Sequence, residues 1–302
     1  MTERQSYCFQ ARGRLLALGS LTRIMGIINV TPDSFSGDGQ LKGRDLAGRV
    51  LRLAGKMAAD GADIIDIGGV STRPGAVRVS AAEECRRVVP VIEALTAARC
   101  NAMISVDTSS SLVARSALQA GAHLINVVQG NHINRALLSA VHRYDAGIVL
   151  MHMRGTPRTM QNKVCYKNFI PDVIRELGQA LQLTLDSGIN RARVIVDPGI
   201  GFAKTAEQNF LLLKHLGCFN KFGLPILVGP SRKSFIGSIL GSGPSDRLFG
   251  TVAAVVAGVM HGAHIVRVHD VLQVKQAVSV ADAIIAVRET SSGKLSGLKG
   301  IK

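Results

Sequence analysis

Residues 63–76 read Asp-Ile-Ile-Asp-Ile-Gly-Gly-Val-Ser-Thr-Arg-Pro-Gly-Ala. A short β-branched apolar run breaks abruptly into glycines, hydroxyls, an arginine and a proline, so a strand ends there and a polar loop begins. Gly68 and Gly69 allow backbone conformations closed to other residues, and Pro74 stiffens the exit. Ser71, Thr72 and Arg73 are hydrogen-bond donors suited to an anion. Taken alone, the loop is most simply a strand-to-helix connection. What decides its meaning is whether other strands end the same way.

Working outward, apolar β-branched runs of strand length recur at 24–30, 64–67, 103–106, 124–128, 148–151, 194–196, 226–228 and 265–268. Between most of them lie segments with helical periodicity, and this alternation predicts parallel strands buried on both faces. Leu46, Val50, Leu53 and Met57 share one helical face before Gly61. Ser80 with Glu83 forms a capping-box pattern ahead of Val88, Ile92 and Leu95, and Thr205 with Gln208 could cap a later helix. Helices follow at 112–120 and 135–143, Pro171 suits the first turn of another, the seventh unit splits into 233–240 and 246–260, and Val274, Val278, Ala281 and Ile285 complete the series. Eight βα units without a linker predict one (β/α)₈ TIM barrel over residues 1–302. A lead-in or short hairpin at 1–20 closes its bottom, and a polar tail runs from about 290 to 302. A doubly wound open sheet is the alternative, but no strand is followed by G-x-G-x-x-G.

Composition agrees with a large α/β domain: 302 residues, 47% hydrophobic, 19% charged and no tryptophan. Five scattered cysteines with no C-x-x-C pair read as reduced thiols in a cytoplasmic protein. The apolar run at 15–18 is too short for a secretory signal and the run at 252–260 too short for a membrane span. The net charge of +15 raises nucleic acid as a partner. Its lysines and arginines are spread along the chain, however, and no aromatic residues interleave with a basic cluster, so no nucleic-acid partner is expected.

The carboxyl ends of all barrel strands meet on one rim, so the strand ends are read together. They carry Asn29; Thr72 and Arg73; Asp107; Asn126; His152 and Arg154; Asp197; Ser231 to Ser234; and Arg267 with His269. Asp107, Asn126, Asp197 and Lys233 could surround a flat heterocycle with an amino-amidine edge: a carboxylate accepts two parallel N–H bonds while lysine donates to a ring carbonyl. Arg73, Arg267 and His269, with Thr72, could hold a phosphate or diphosphate. Asn29 is an oxygen ligand suited to Mg²⁺. Against these, a single aspartate at a strand end often only caps structure, a lone His152 is more simply a satisfied rim histidine, and Met151 and Met153 suit the core. No G-x-S-x-G elbow, His/Cys metal cluster or P-loop is present.

Seven stretches, in order, resemble the dihydropteroate synthase family, in its bacterial form, over nearly the full length. They are Met-Gly-Ile-Ile-Asn-Val-Thr-Pro-Asp-Ser-Phe-Ser at 25–36, Gly-Gly-Val-Ser-Thr-Arg-Pro-Gly at 68–75, Ile-Ser-Val-Asp-Thr at 104–108, Met-His-Met-Arg-Gly-Thr-Pro at 151–157, Asp-Pro-Gly-Ile-Gly-Phe at 197–202, Gly-Pro-Ser-Arg-Lys-Ser-Phe-Ile-Gly at 229–237 and Arg-Val-His-Asp-Val at 267–271. The resemblance implies condensation of 6-hydroxymethyl-7,8-dihydropterin diphosphate with 4-aminobenzoate, a Mg²⁺ cofactor, sulfonamides as mimics of the second substrate, and a homodimer. It implies a pterin set of Asp107, Asn126, Asp197 and Lys233 and a diphosphate set of Asn29, Thr72, Arg73, Arg267 and His269, with Asn29 also on the metal. Thr72, Arg73, Pro74, Phe202, Lys233 and Ser234 are implied around aminobenzoate, and Lys233, Asp107, Asp197 and Arg267 as the catalytic group. Loops bearing Asp33, Ser34, Gly37, Gly39 and residues 72–75 would close over the site.

The chain departs from the family pattern at Val70, where glutamate is usual, at Val127, where aspartate is usual beside Asn126, at Ala203 in place of glycine, and at Ser111 in place of a common proline. Val70 and Val127 motivate an alternative, a catalytically weakened pterin-binding protein of the same fold. The pterin-dependent methyltransferases are disfavoured, because the Ser-Arg-Lys-Ser and Arg-Val-His-Asp stretches suit a diphosphate-leaving reaction.

Overall fold

The computed structural model describes residues 4–31, 44–71, 79–128, 133–289 and 295–296. Eight parallel strands form the barrel: β3 (Arg23–Asn29), β4 (Ile64–Gly68), β5 (Met103–Asp107), β6 (Leu124–Val127), β7 (Gly147–Met151), β8 (Val194–Asp197), β9 (Leu227–Val228) and β10 (Ile265–Val268). Their order around the sheet is β8-β7-β6-β5-β4-β3-β10-β9. A parallel bridge between Val196 and Ile226, with the Val196 N–H on the Pro225 carbonyl at 3.0 Å, joins the two ends. The expected TIM barrel is therefore observed, with strand bounds within a residue of the apolar runs.

Helices α1 (Arg44–Ala59), α2 (Ala81–Ala97), α3 (Ser111–Ala120), α4 (Arg135–Arg143), α5 (Phe169–Asp186), α6 (Ala206–Lys214), α7 (Ser234–Leu240), α8 (Leu248–Met260) and α9 (Val271–Ala286) cover the outside. Thr205 and Gln208 form the reciprocal capping box of α6. At α2 only half the box exists: Ser80 accepts from the Glu83 N–H, while the Glu83 carboxylate turns to Arg86 and Arg87 one turn on. Charge pairing along the helix outcompetes the return bond to the cap. No described helix is long and apolar enough to cross a membrane.

The hairpin β1 (Tyr7–Ala11) and β2 (Arg14–Leu18) packs over the amino-terminal ends of the strands. Phe9, Ala11 and Leu18 join one inward residue from each strand, Met25, Ile64, Met103, Leu124, Val149, Ile195, Leu227 and Ile265, in a single apolar cluster. Gly147 makes room for it: a Cβ there would lie 2.4 Å from the Phe9 ring. This plug leaves the interior open only toward the carboxyl ends of the strands.

Phe9 is 1% exposed at the centre of the plug. Phe9→Ala is expected to cost about 3–5 kcal/mol, a transfer loss plus a cavity. Urea unfolding measures it, and a loss below about 1 kcal/mol would mean the hairpin is not part of the cooperative core.

Candidate active site

Side chains along a strand alternate in direction, so the residue two beyond each plug residue again faces the barrel axis. That step gives Ile27, Asp66, Ser105, Asn126, Met151, Asp197, Gly229 and Arg267. One step further gives Asn29, Gly68, Asp107, Val128, Met153, Gly199, Ser231 and His269. Oil thus gives way to charge within two residues, and the charged layer lies under the open end.

Its centre is an ion-pair cluster. Arg267 Nε donates to Asp66 Oδ2 at 2.6 Å and its Nη2 to Asp107 Oδ2 at 2.9 Å. Asn126 Nδ2 donates to the same Asp66 oxygen at 3.1 Å. Burial pushes the Asp107 carboxyl up to about 7; Arg267 and Lys233 pull against this, while Asp66 and Glu84 add to it. Burial also raises Asp197 to about 6, although the Gly199 N–H donates to its Oδ1 at 2.7 Å. The Lys233 ammonium is brought down to about 7 by burial and by Arg267, against Asp197 and Asp107. Burial thus draws two carboxyls and an ammonium toward one range, a pattern that clusters at functional sites.

The turn after β8 explains its glycines. A Cβ on Gly199 would lie 1.9 Å from the His152 carbonyl oxygen, and one on Gly201 would meet Lys233 Cδ at 2.7 Å. Without it, the Lys233 stem lies against the turn and its Nζ sits 3.6 Å above the centre of the Phe202 ring. Ala203, where the family pattern has glycine, adopts φ 50°. The strain of about 1–2 kcal/mol is offset in part by burying the methyl, worth about 0.8 kcal/mol.

Behind that turn runs a polar chain. Lys204 Nζ donates to the Phe202 carbonyl at 2.9 Å and to His152 Nδ1 at 3.0 Å. His152 Nε2 faces Glu176 Oε2 at 3.0 Å, so these partners assign the ring proton to Nε2. Burial drives the Glu176 carboxyl up, but His152 and Arg154 outweigh it and hold the group down at about 2. Arg154 also stacks on Tyr166, 3.8 Å from its centre, and the Tyr166 hydroxyl donates to the Ala203 carbonyl at 3.0 Å. His152 is thus a fully buried brace. Met151 and Met153 are buried beside Phe202 and Ala203.

The structure brings Asn126, Asp197 and Arg267 to one layer around the axis, with Asp107, Asn29 and His269 one step above them and Lys233 reaching in from the start of α7. His269 Nδ1 pairs with Ser231 Oγ at 2.9 Å, and burial, reinforced by Arg232 and Arg267, lowers its imidazole to about 3. Ser234 is exposed at the start of α7. Thr72, Arg73, Pro74 and Gly75, and the first-loop residues Asp33, Ser34, Gly37 and Gly39, lie outside the described residues. Val70 is half-buried at the mouth. Val127 belongs to the aliphatic layer between barrel and helices, one residue out of phase with Asn126. Asp66 and Lys204 went unnoticed in the sequence. A carboxylate inside Ile-Ile-Asp-Ile was a usable signal for Asp66, because a buried strand tolerates one only with partners; Lys204 and Glu176 offered none.

A barrel whose axis holds three carboxylates, an amide, a lysine and an arginine above an oil plug defines an enzyme for a polar, flat ligand. The pterin binding enzyme family matches residues 25–269. Dihydropteroate synthase of Synechocystis is 46% identical over 88% of this chain and 91% of its own length. The Xanthomonas albilineans dihydropteroate synthase solved with 4-aminobenzoic acid superposes with a TM-score of 0.85 at 40% identity, covering 94% of this chain and 100% of that one. The Yersinia pestis enzyme in a sulfonamide complex gives 0.84 at 42% identity, with 92% and 98% covered. The chain belongs to the dihydropteroate synthases, transferases of folate synthesis within the pterin binding enzymes.

Acid stability follows from four imidazoles, two fully buried and two half-buried. Burial is the first cause in each, lowering His123, His152 and His264 to about 4 and His269 to about 3. His123 and His264 each accept a backbone N–H at Nδ1, from Ile104 and Ile226, and cannot be protonated there. A lowered folded-state value stabilises above the unfolded value near 6.5 and is lost as pH falls through the folded value. Asp107 and Asp197, raised, act oppositely between about 4 and their folded values, and Glu84, also raised by burial, joins them, but four imidazoles outweigh three carboxylates. The melting temperature of the free protein is expected to fall from pH 6.5 to pH 4, and a rise over that window would refute the neutral histidines.

Proposed function

We propose that this site joins 6-hydroxymethyl-7,8-dihydropterin diphosphate to 4-aminobenzoate, giving dihydropteroate and pyrophosphate. The observation that carries the reading is the axial layer itself, in which Asn126, Asp107, Asp197 and Lys233 face one space above an apolar floor. Asp107 and Asp197 accept the amino-amidine N–H groups of the pterin, Asn126 adds an amide, and Lys233 donates to the ring carbonyl. Asn29, Thr72, Arg73, Arg267 and His269 hold the diphosphate. Thr72, Arg73, Pro74, Phe202, Lys233 and Ser234 surround aminobenzoate.

The aniline nitrogen attacks the pterin methylene carbon, the carbon–oxygen bond breaks toward pyrophosphate, and the surplus ammonium proton passes to solvent. No covalent nucleophile is needed, so the protein supplies position and countercharge. Arg267 reaches the departing charge while anchored from behind by two carboxylates. A neutral His269 donates a hydrogen bond without adding a cation.

The donor set suits Mg²⁺ as cofactor. No group of three His, Cys, Asp or Glu able to hold a metal occurs among the described residues. Mg²⁺, however, is held by few protein oxygens plus substrate phosphates. The Asn29 amide oxygen stands beside Gly68, where a Cβ would lie 3.4 Å from it, and the residue is half-buried. When bound, the ion would neutralise charge on the leaving diphosphate.

The second copy of a homodimer would cover an apolar face on α7 and α8, where Ile239 is 71% and Phe249 85% exposed. All five cysteines are free, consistent with a reducing, cytoplasmic setting. The alternative of a weakened pterin-binding protein rests on Val70, which puts an apolar side chain where the family pattern has a carboxylate.

A coupled assay with both substrates and Mg²⁺ tests the function. Turnover is expected, with Lys233→Ala lowering kcat/KM by about 10²-fold or more; tight pterin diphosphate binding without product would favour the alternative. Light scattering tests the dimer: Phe249→Asp is expected to shift it to monomer, and an unchanged mass would exclude this face.

A further inference from the structure

Asp66 is the one charged group at the axis to which the reading above gives no contact with substrate. It projects inward from the middle of β4, 0% exposed. Its Oδ2 accepts from two substrate-facing side chains on two other strands, Arg267 on β10 and Asn126 on β6. Its Oδ1 has no hydrogen-bond partner among the described residues. The carboxylate is therefore committed to those two groups.

We infer that Asp66 is the positioning residue of this site: it fixes the Arg267 guanidinium and the Asn126 amide in the orientations that meet substrate, and its charge sets the field on Asp107. The inference rests on the substrate assignments above. Nε is the guanidinium nitrogen nearest the stem, so a bond there fixes the plane of the fork and turns its far end toward Asp107 and the open mouth. Arg267 Nη1 carries no bond to the described residues and remains for an anion. Asn126 could present its amide either way round. With Nδ2 spent on a carboxylate, the oxygen is left for a donor on the ligand. One side chain thereby decides polarity at the pterin edge and direction at the diphosphate.

The charge matters as well as the shape. The groups facing Asp107 are Arg267 from β10, Asp66 from β4, Glu84 from α2 and Lys233 at the start of α7. Asp66 opposes ionisation of Asp107, while Arg267 and Lys233 favour it. An amide at position 66 keeps the volume and one oxygen for the two donors, which already share Oδ2, but removes the opposing charge and with it the charge assistance that strengthens both bonds.

Asp66→Asn is the test. The variant is expected to melt cooperatively and keep its near-ultraviolet circular dichroism. It should lose about 10- to 100-fold in kcat/KM for pterin diphosphate, the range seen when an orienting partner of a ligand group is removed. The acid limb of its kcat/KM profile should move to lower pH, which a merely structural loss would not produce. An unchanged rate, or a lowered rate with an unmoved acid limb, overturns the inference. If the variant does not fold, the unmodified protein decides by NMR. An arginine Nε–H signal, assigned by its loss in Arg267→Lys, should exchange slowly both with and without pterin diphosphate, and fast exchange in either state overturns it. Asn126→Ala and Arg267→Ala test the underlying assignment separately. If they bind pterin diphosphate normally, that assignment fails; if they do not while Asp66→Asn does, only the positioning role fails.

Discussion

A strand closed into a barrel can offer the axis only every second side chain, and this constraint organises the protein. Three successive inward steps along eight strands take the interior from aliphatic plug, through a charged middle layer, to a mixed rim that carries Asn29, Asp107, Ser231 and His269. No long-range design beyond register is needed to converge eight distant segments on one space. A one-residue slip in any strand would replace its axial group with one built for the helix layer. In β6 it would exchange Asn126 for Val127.

The plug makes the charged layer tolerable. Taking Asp66, Asp107, Asp197, Lys233 and Arg267 out of water is expensive, and no single pair among them repays it. The burial of aliphatic strands and of the hairpin beneath them supplies the compensating stability, and the residual cost is visible as protonation values drawn toward neutrality. Asp107 and Lys233 both lie near 7. A ligand that brings N–H donors to the carboxylates and a carbonyl to the lysine restores to each the partner that burial removed. Binding is then favoured by relief of the free protein's own strain as much as by contact area.

The fold was legible because its signals are local. Eight apolar runs, glycines at helix ends and the Thr205–Gln208 cap each follow from a few neighbouring residues. Strand ends were legible for the same reason, since a polar residue after a buried run has nowhere to go but the rim. Asp66 escaped that rule by lying inside a run, and Lys204 by lying beyond a turn whose meaning depends on Glu176 and His152, distant in sequence and joined only in space. Val127 was misleading in the opposite sense. Adjacent to Asn126 in the chain, it points the other way, into the aliphatic layer, so its departure from the family pattern does not alter the axial surface.

The same logic separates the two notable departures. Val127 changes the packing layer, where aliphatic volume is what neighbours require. Val70 is half-buried just beyond the end of β4, and it carries one negative charge fewer than the glutamate of the family pattern. Loss of that charge strengthens attraction for an anion while removing a hydrogen-bond acceptor. Affinity and alignment are thereby set against each other at one residue. The axial layer below is insulated from the exchange, because its geometry is held by strand register and by bonds among Asp66, Asn126, Asp107 and Arg267 that do not involve the mouth.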